Sequence, residues 1–336
     1  HRPVAIATRR RQHVFPSMQQ LIEQFMAEWC DRRPYIIAHT SGSTGTPKEI
    51  HLLKSDMVMS ARATNARFNI SSHSHLHLTL SPAYIAGKMM IVRALDAGCD
   101  LTYEPPTNHG LLSIDYGDID LLAIVPSQCS QLLSNHVAIK RLRNVIIGGA
   151  PISHATEQAL LSAPWNSFAT YGMTETCSHV ALRRMGTDAY TAMPGIRFST
   201  DHRDCLRINA PRFSFRQLQT NDIVDLLSPQ SFIWKGRYDN VINSGGIKIF
   251  PEQLEAKLQP YVGMPFFVGS APHPVWGTAV ELVVELPDSK LVDTSELEQQ
   301  LQDICRTHLT AVECPKSIKF TAALPRTENG KIRRNG

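Results

Sequence analysis

Nine consecutive residues, Thr40-Ser41-Gly42-Ser43-Thr44-Gly45-Thr46-Pro47-Lys48, combine hydroxyls, a flexible backbone rich in N–H donors and a single cation. Together these suit a triphosphate. The string is not a Walker A loop, which needs Gly before its Lys and Ser or Thr after it, because Pro47 and Glu49 flank Lys48 here. Taken alone, a Gly/Ser/Thr turn is also a common connection between elements. A second candidate surface is Gly148-Gly149, which follows the apolar run Val145-Ile146-Ile147. Missing side chains there would let a flat ligand approach the backbone.

Such loops need rigid elements on either side. From roughly residue 17 to residue 180 short apolar runs alternate with helix-like stretches, the pattern of parallel sheets covered by helices. Tyr35-Ile36-Ile37-Ala38 reads as a buried strand running into the Ser/Thr/Gly loop, with a helix beyond it that Ser55 could cap. Leu121 to Val125 reads as a second strand, stopped by Pro126, with Ser127 placed to cap the next helix. After Trp234 the texture changes to a Gly-rich segment, a short helix with Pro251 in its first turn, and a β-rich stretch through Val268 and Val280 to Leu286. An amphipathic helix follows, with Asp293-Thr294-Ser295-Glu296 as start signal and Leu297, Leu301 and Ile304 on its apolar face. The expected fold class is α/β, with a large N-terminal domain of helix-covered β-sheets over residues 1–235 and a small mobile α+β C-terminal domain over 236–336.

Composition bounds the rest. Hydrophobic residues make up 43% and charged residues 19%, ordinary values for a globular chain. The net charge of +4, from 34 Lys+Arg against 30 Asp+Glu, is too small an excess to argue for nucleic acid, though it suits small anionic ligands. Seven scattered cysteines without a C-x-x-C pair speak against a zinc ribbon or a disulfide framework and fit a reducing cytoplasm. No apolar run reaches the ~18 residues of a membrane span, and a signal-peptide pattern is not expected from the N-terminal residues.

The string at 40 to 48 resembles the phosphate loop T-S-G-[ST]-T-G-x-P-K of the adenylate-forming superfamily, which unites acyl-CoA synthetases, luciferases and peptide-synthetase adenylation domains. Tyr171-Gly172-Met173-Thr174-Glu175 is similar to its Y-G-x-T-E. That resemblance implies that Tyr171, with Gly172 and Met173, packs near adenine, that Thr174 meets phosphate, and that Glu175 holds Mg²⁺, a cation that prefers oxygen ligands. Gly149 and Ala150 are expected against the same nucleotide. Thr220-Asn221-Asp222 looks like the family's T-G-D, with Asp222 accepting from the ribose hydroxyls; Asn tolerates the left-handed backbone that Gly would supply. Gly236-Arg237-Tyr238-Asp239-Asn240 and Gly245-Gly246-Ile247-Lys248 resemble the segment that opens the small domain. By that likeness Arg237 contacts ribose or phosphate, Asp239 is the hinge, and Gly245, Gly246 and Lys248 form the loop used in the thioester step. Pro325-Arg326-Thr327-Glu328-Asn329-Gly330-Lys331 resembles P-x-T-x-x-G-K, in which Lys331 would neutralise charge as a carboxylate attacks the α-phosphate.

The resemblance implies ATP-dependent activation of a carboxylic acid as acyl-AMP with Mg²⁺, followed by thioesterification with coenzyme A. Attack of one anion on another mainly needs in-line positioning and nearby cations. Rotation about Asp239 would then exchange Lys331 for the Gly245 to Lys248 loop and keep the hydrolysis-prone anhydride enclosed. Within the superfamily, Ser81-Pro82-Ala83-Tyr84-Ile85-Ala86-Gly87-Lys88 and Thr174-Glu175-Thr176-Cys177-Ser178-His179 are similar to the compact 2-succinylbenzoate:CoA ligases of menaquinone synthesis. A substrate with one ring and two carboxylates calls for a flat apolar wall and a cation, and Tyr84, Lys88, Gly148, His179 and Arg183 are the acyl-pocket candidates. Lys88, His179 and Arg183 each also fit a plain surface charge or a satisfied polar residue. The expected partners are a small acid, ATP and coenzyme A. Most relatives carry a much longer region before the phosphate loop, which leaves one wall of the acyl pocket undefined. An adenylating enzyme for another aryl or fatty acid, one that loads a carrier protein, and a non-catalytic nucleotide-binding protein stay open as alternatives.

Overall fold

The computed structural model describes residues 16–39, 49–107, 117–135, 141–287, 293–326, 332 and 334. Helix α1 (Met18–Cys30) opens the order, capped by Ser17, whose hydroxyl accepts from Gln20 N while the Gln20 side chain returns to Ser17 N. Next come the strands β1 (Tyr35–His39) and β2 (Glu49–Leu53), then α2 (Lys54–Phe68), β3 (His75–Leu78), α3 (Ile85–Ala97) and β4 (Asp100–Tyr103). The order continues with β5 (Asp118–Ile124), α4 (Cys129–Asn135), β6 (Arg141–Ile147), α5 (His154–Leu161) and β7 (Asn166–Gly172). Six strands follow: β8 (His179–Arg184), β9 (Ala189–Ala192), β10 (Arg197–Thr200), β11 (Cys205–Ala210), β12 (Arg216–Ser228) and β13 (Ser231–Arg237). The last part holds β14 (Ile242–Ser244), β15 (Ile247–Ile249), α6 (Pro251–Leu258), β16 (Phe266–His273), β17 (Gly277–Glu285), α7 (Ser295–His308) and β18 (Ser317–Thr321).

An eleven-stranded sheet runs β10-β11-β12-β13-β9-β8-β7-β6-β5-β3-β4. The strands from β4 to β7 are parallel, and every pair from β7–β8 outward is antiparallel. Parallel strands are covered on both faces, which is why β5 reads as a nearly unbroken apolar run. Its Leu121 and Ala123 join one core with Met57 of α2 and Met89 of α3, whereas Leu122 and Ile124 join another with Leu132 of α4 and Leu160 of α5. Between β9 and β13 the sheet is joined by three register pairs, Ala189↔Ile233, Tyr190↔Phe232 and Thr191↔Ser231.

A separate three-stranded sheet, β16-β17-β18, shares its core with α6 and α7 through Leu254, Leu258, Val280, Leu282 and Leu301. Pro251 sits at the start of α6 and α7 spans the expected amphipathic stretch. Other details depart from the sequence reading. The segment after residue 48 first forms β2, so α2 begins at Lys54 with Leu53 as N-cap and Ser55 inside its first turn. The turn after β5 starts at Pro126, and Gln128 reaches back to Val125 N at 3.1 Å. Asn221 lies within β12 and has no positive φ, so Asn replaces Gly there without strain. The large sheet extends through Arg237, and the third core begins at Ile242.

Candidate active site

The carboxyl ends of β5, β6 and β7 meet where the sheet turns from parallel to antiparallel pairing, the place where open α/β sheets form ligand crevices. At the end of β6, Gly148 has no room for a side chain, since a Cβ would overlap Oγ1 of Thr170. Gly149 next to it has φ +86°, and Gly149 and Ala150 are exposed.

Tyr171, next to last in β7, has its ring edge-on to Tyr190 and Phe232 and its hydroxyl donating to Oδ2 of Asp222 at 2.6 Å. Burial, with the Asp222 carboxylate beside it, pushes the Tyr171 pKa well above its ordinary value, so the phenol stays protonated and donating. Asp222 is buried and comes from β12; its Oδ1 accepts from Trp234 Nε1 at 3.3 Å and lies 3.7 Å from Arg237 Nε. A carboxylate offers about four acceptor sites, so these contacts orient Asp222 without exhausting it. Arg237 is Asp222's cross-strand partner on β13 and lies 3.5 Å from Asp239, which also accepts from Asn221 Nδ2 at 3.2 Å. Tyr171, Asp222, Arg237 and Asp239 are therefore one connected group.

Gly172 is forced. A Cβ there would overlap the Ser178 carbonyl oxygen and lie 2.6 Å from His179 Cα. The chain then makes a 3-10 turn over Thr174–Thr176, pinned by the buried Thr176 hydroxyl, which accepts from Met173 N at 3.0 Å and donates to Ser178 O at 2.7 Å. Cys177 closes the turn at φ +63°. This turn presents Thr174 and Glu175, half-buried, and neither side chain makes a hydrogen bond or ion pair among the described residues. A single uncommitted carboxylate suits Mg²⁺, which takes one or two protein carboxylates and completes its shell with phosphate and water.

The acyl-pocket candidates are spread differently from expectation. Tyr84 is exposed at the N-terminus of α3. Lys88 is buried and already paired, with Nζ 3.1 Å from Glu28 and 3.3 Å from the Ile37 carbonyl. Arg183 holds Glu157 with both arms, at 2.6 and 3.0 Å, and also donates to Thr187 O. His179 is buried beside Thr64, and burial together with neighbouring Arg93 drives its pKa well below the ordinary value.

Arg93, which the sequence reading passed over, is a further buried cation in this region. It is 2% exposed, and it donates to Ser178 Oγ at 2.6 Å. Its Nε has no hydrogen-bond partner, and it has no carboxylate partner among the described residues. Burial lowers its pKa to about 10. The available signal was its setting: α3 is buried from Gly87 to Ala94, so a charge inside that run had to be buried too.

Thr40, Ser41, Gly42, Ser43, Thr44, Gly45 and Lys48 lie outside the described residues, as does Lys331. The frame of the loop is described: His39 and Glu49 are register partners in the β1–β2 hairpin. Gly245 and Gly246, at φ +55° and +85°, join β14 to β15 in a two-residue turn, and Lys248 is exposed just beyond. No group of three or more metal-ligating side chains occurs among the described residues, and no described helix is long and apolar enough to cross a membrane.

Known proteins share this fold. A solved acyl-CoA synthetase (AMP-forming)/AMP-acid ligase II-like protein from Dyadobacter fermentans is 31% identical, with a TM-score of 0.62 over 96% of this chain and 94% of that one. The O-succinylbenzoate coenzyme A synthetase of Bacillus subtilis, solved with ATP and magnesium ion, shares the fold at a TM-score of 0.75 and 20% identity, over 89% of this chain and 68% of that one. A 2-succinylbenzoate--CoA ligase of Listeria monocytogenes is 25% identical over 91% of this chain and 70% of its own length. The AMP-binding enzyme model matches residues 7–199 and the AMP-binding enzyme C-terminal domain model matches 266–331, so the chain belongs to the AMP-binding enzyme family of adenylate-forming proteins.

Proposed function

We propose that this chain activates a carboxylic acid as acyl-AMP at the expense of ATP and transfers the acyl group to coenzyme A, with 2-succinylbenzoate as the acid. The observation that carries the adenylation reading is the group at the end of β7. Asp222 is oriented by Tyr171 and Trp234 to accept from ribose hydroxyls, Arg237 stands beside it, and Glu175 projects an uncommitted carboxylate from the next turn.

In this reading Gly148, Gly149 and Ala150 admit the flat base, the Tyr171 ring walls it, and Thr174 with the Thr40 to Lys48 loop steadies phosphate. Glu175 would hold Mg²⁺, which when bound supplies charge neutralisation on the phosphates. Lys331 would neutralise the developing negative charge in the first half-reaction. Asp239 is the hinge at the division near residue 236, and Gly245, Gly246 and Lys248 serve the thioester step.

Arg93 supports the choice of a diacid. A buried cation without a counterion is costly, and a second substrate carboxylate would relieve that cost. His179, kept neutral beside it, adds no competing charge. The 2-succinylbenzoate--CoA ligases among its relatives point to the same acid. A chain that uses ATP and coenzyme A belongs in the cytoplasm.

The test is pyrophosphate release from Mg-ATP with 2-succinylbenzoate, benzoate, a medium-chain fatty acid and amino acids, each with and without coenzyme A. Release with 2-succinylbenzoate, and a thioester once coenzyme A is added, is the expected result. Release with another acid alone would discard the substrate and keep adenylation, and no release across the panel would turn the reading to an acid outside it or to a non-catalytic nucleotide-binding protein.

A further inference from the structure

Outside the nucleotide group, a second cluster of paired charges is built on α6. Arg334 donates to Glu252 Oε1 at 3.0 Å and to Glu255 Oε2, with about a fifth of its side chain exposed. Glu255 also accepts from Val268 N at 2.8 Å, so its position is set by β16. Glu252 has two further neighbours. Its Oε1 accepts from Asn240 Nδ2 at 2.5 Å, in the turn that contains Asp239, and its Oε2 would lie 2.5 Å from a Cβ on Gly236, in the last strand of the large sheet. One carboxylate thus touches the large sheet, the turn after it and the end of the chain.

Ile332, two positions before Arg334, is anchored as well. Ile332 packs with Phe267, Val283 and Leu324, and it bridges to Arg326, whose guanidinium lies 3.1 Å from Glu285. Lys331, three residues ahead of Arg334, is joined to it by chain that can span at most about 11 Å. Fixing Arg334 therefore restricts where that lysine can act.

We propose that Arg334, clamped by Glu252 and Glu255, is a positioning residue for the adenylation half-reaction, because it ties the chain end to the hinge turn through Glu252 and Asn240. This rests on the functional reading given above. Arg suits the task better than Lys, since a planar fork engages two carboxylates at once and an ammonium does not hold that geometry.

The experiment separates the two half-reactions in Arg334→Ala, Arg334→Lys and Glu252→Gln. Acyl-AMP formation is read as pyrophosphate release, thioester formation is started from supplied acyl-AMP, and thermal melting checks the fold. The expected result is a loss of about 10- to 100-fold in acyl-AMP formation for Arg334→Ala, the scale of a displacement near 1 Å. Arg334→Lys should be intermediate, and thioester formation should stay within about twofold of the parent, since Lys331 is not used there. Equal loss of both half-reactions, or no loss in either, would overturn the proposal while the parent enzyme still turns over. If Arg334→Ala fails to fold, Arg334→Lys and Glu252→Gln decide by the same split. A parent chain that makes no acyl-AMP with any acid would overturn the functional reading first and this proposal with it.

Discussion

Replacing Gly172 by Ala tests the geometry of the site most directly. The new methyl carbon would overlap the carbonyl oxygen of Ser178 and lie 2.6 Å from His179 Cα, and both are backbone atoms on β8 or the turn into it. Carbon atoms rest about 3.5–4.0 Å apart, so β7 and the following turn must separate by roughly 1 Å. Overpacking of this kind costs about 1–3 kcal/mol of stability. The displaced atoms are those that set Thr174 and Glu175 relative to Tyr171, and a shift of ~1 Å in a reacting geometry is worth about 100-fold in rate. Hence kcat/KM for pyrophosphate release should fall about 100-fold, near 2.7 kcal/mol of transition-state stabilisation. The assay compares that quantity, together with Tm, among the parent, Gly172→Ala and Gly263→Ala. Gly263 is a fair control because nothing lies within 4 Å of its Cβ position and its φ is not positive. Parent-like kcat/KM and Tm in Gly172→Ala would refute the close approach of β7 to Ser178. Parent-like kinetics with a lowered Tm would refute the link from that approach to catalysis.

Lys88→Met should lower stability by about 3 kcal/mol, since breaking a largely buried pair leaves Glu28 without its counterion, while the KM for the acid stays within about twofold. A raised KM with unchanged melting would return Lys88 to the acyl pocket. Asp201 offers a pH test: burial would raise its pKa, but hydrogen bonds from Cys205 N, Arg203 N and the Arg203 guanidinium win and lower it from 3.8 to about 2. A depressed folded-state pKa means stability present above the unfolded value and lost as pH falls through the folded one. The melting difference between the parent and Asp201→Asn should therefore be constant above about pH 4 and close between pH 4 and 2; a difference that widens on acidification would contradict the hydrogen bonds seen here.

Motif residues were legible because their chemistry is local. Asp222, Tyr171 and Arg237 each carried a string of neighbours that suggested a role, and the sheet brings the three together from β7, β12 and β13. What the sequence hid is partner choice across long separations. Lys88 and Arg93 lie one and a half turns apart on the same buried helix, yet Glu28, some sixty positions away, reaches only the first. The same limit applies to Arg183, whose partner Glu157 comes from α5. β2 was missed because Glu49 to Leu53 is short and runs straight into α2, and pairing with β1, invisible in local pattern, decides its state. Arg334 reads as an ordinary tail residue until α6 folds beside it.

The join between β9 and β13 gives the site a second consequence. Everything from β10 to β13 pairs as a meander, and everything from β3 to β9 pairs on the other side, so only three register pairs close the sheet. The Tyr190–Phe232 stack and the Tyr171–Asp222 hydrogen bond cross that same line. A nucleotide held by Tyr171 and Asp222 would rivet the two halves. At a concentration of 100 Kd, binding would oppose their separation by about 2.7 kcal/mol. The amides of β9 and β13 would then exchange with solvent as a cooperative unit whose opening slows when substrate is present, making this short join responsive to what the enzyme holds.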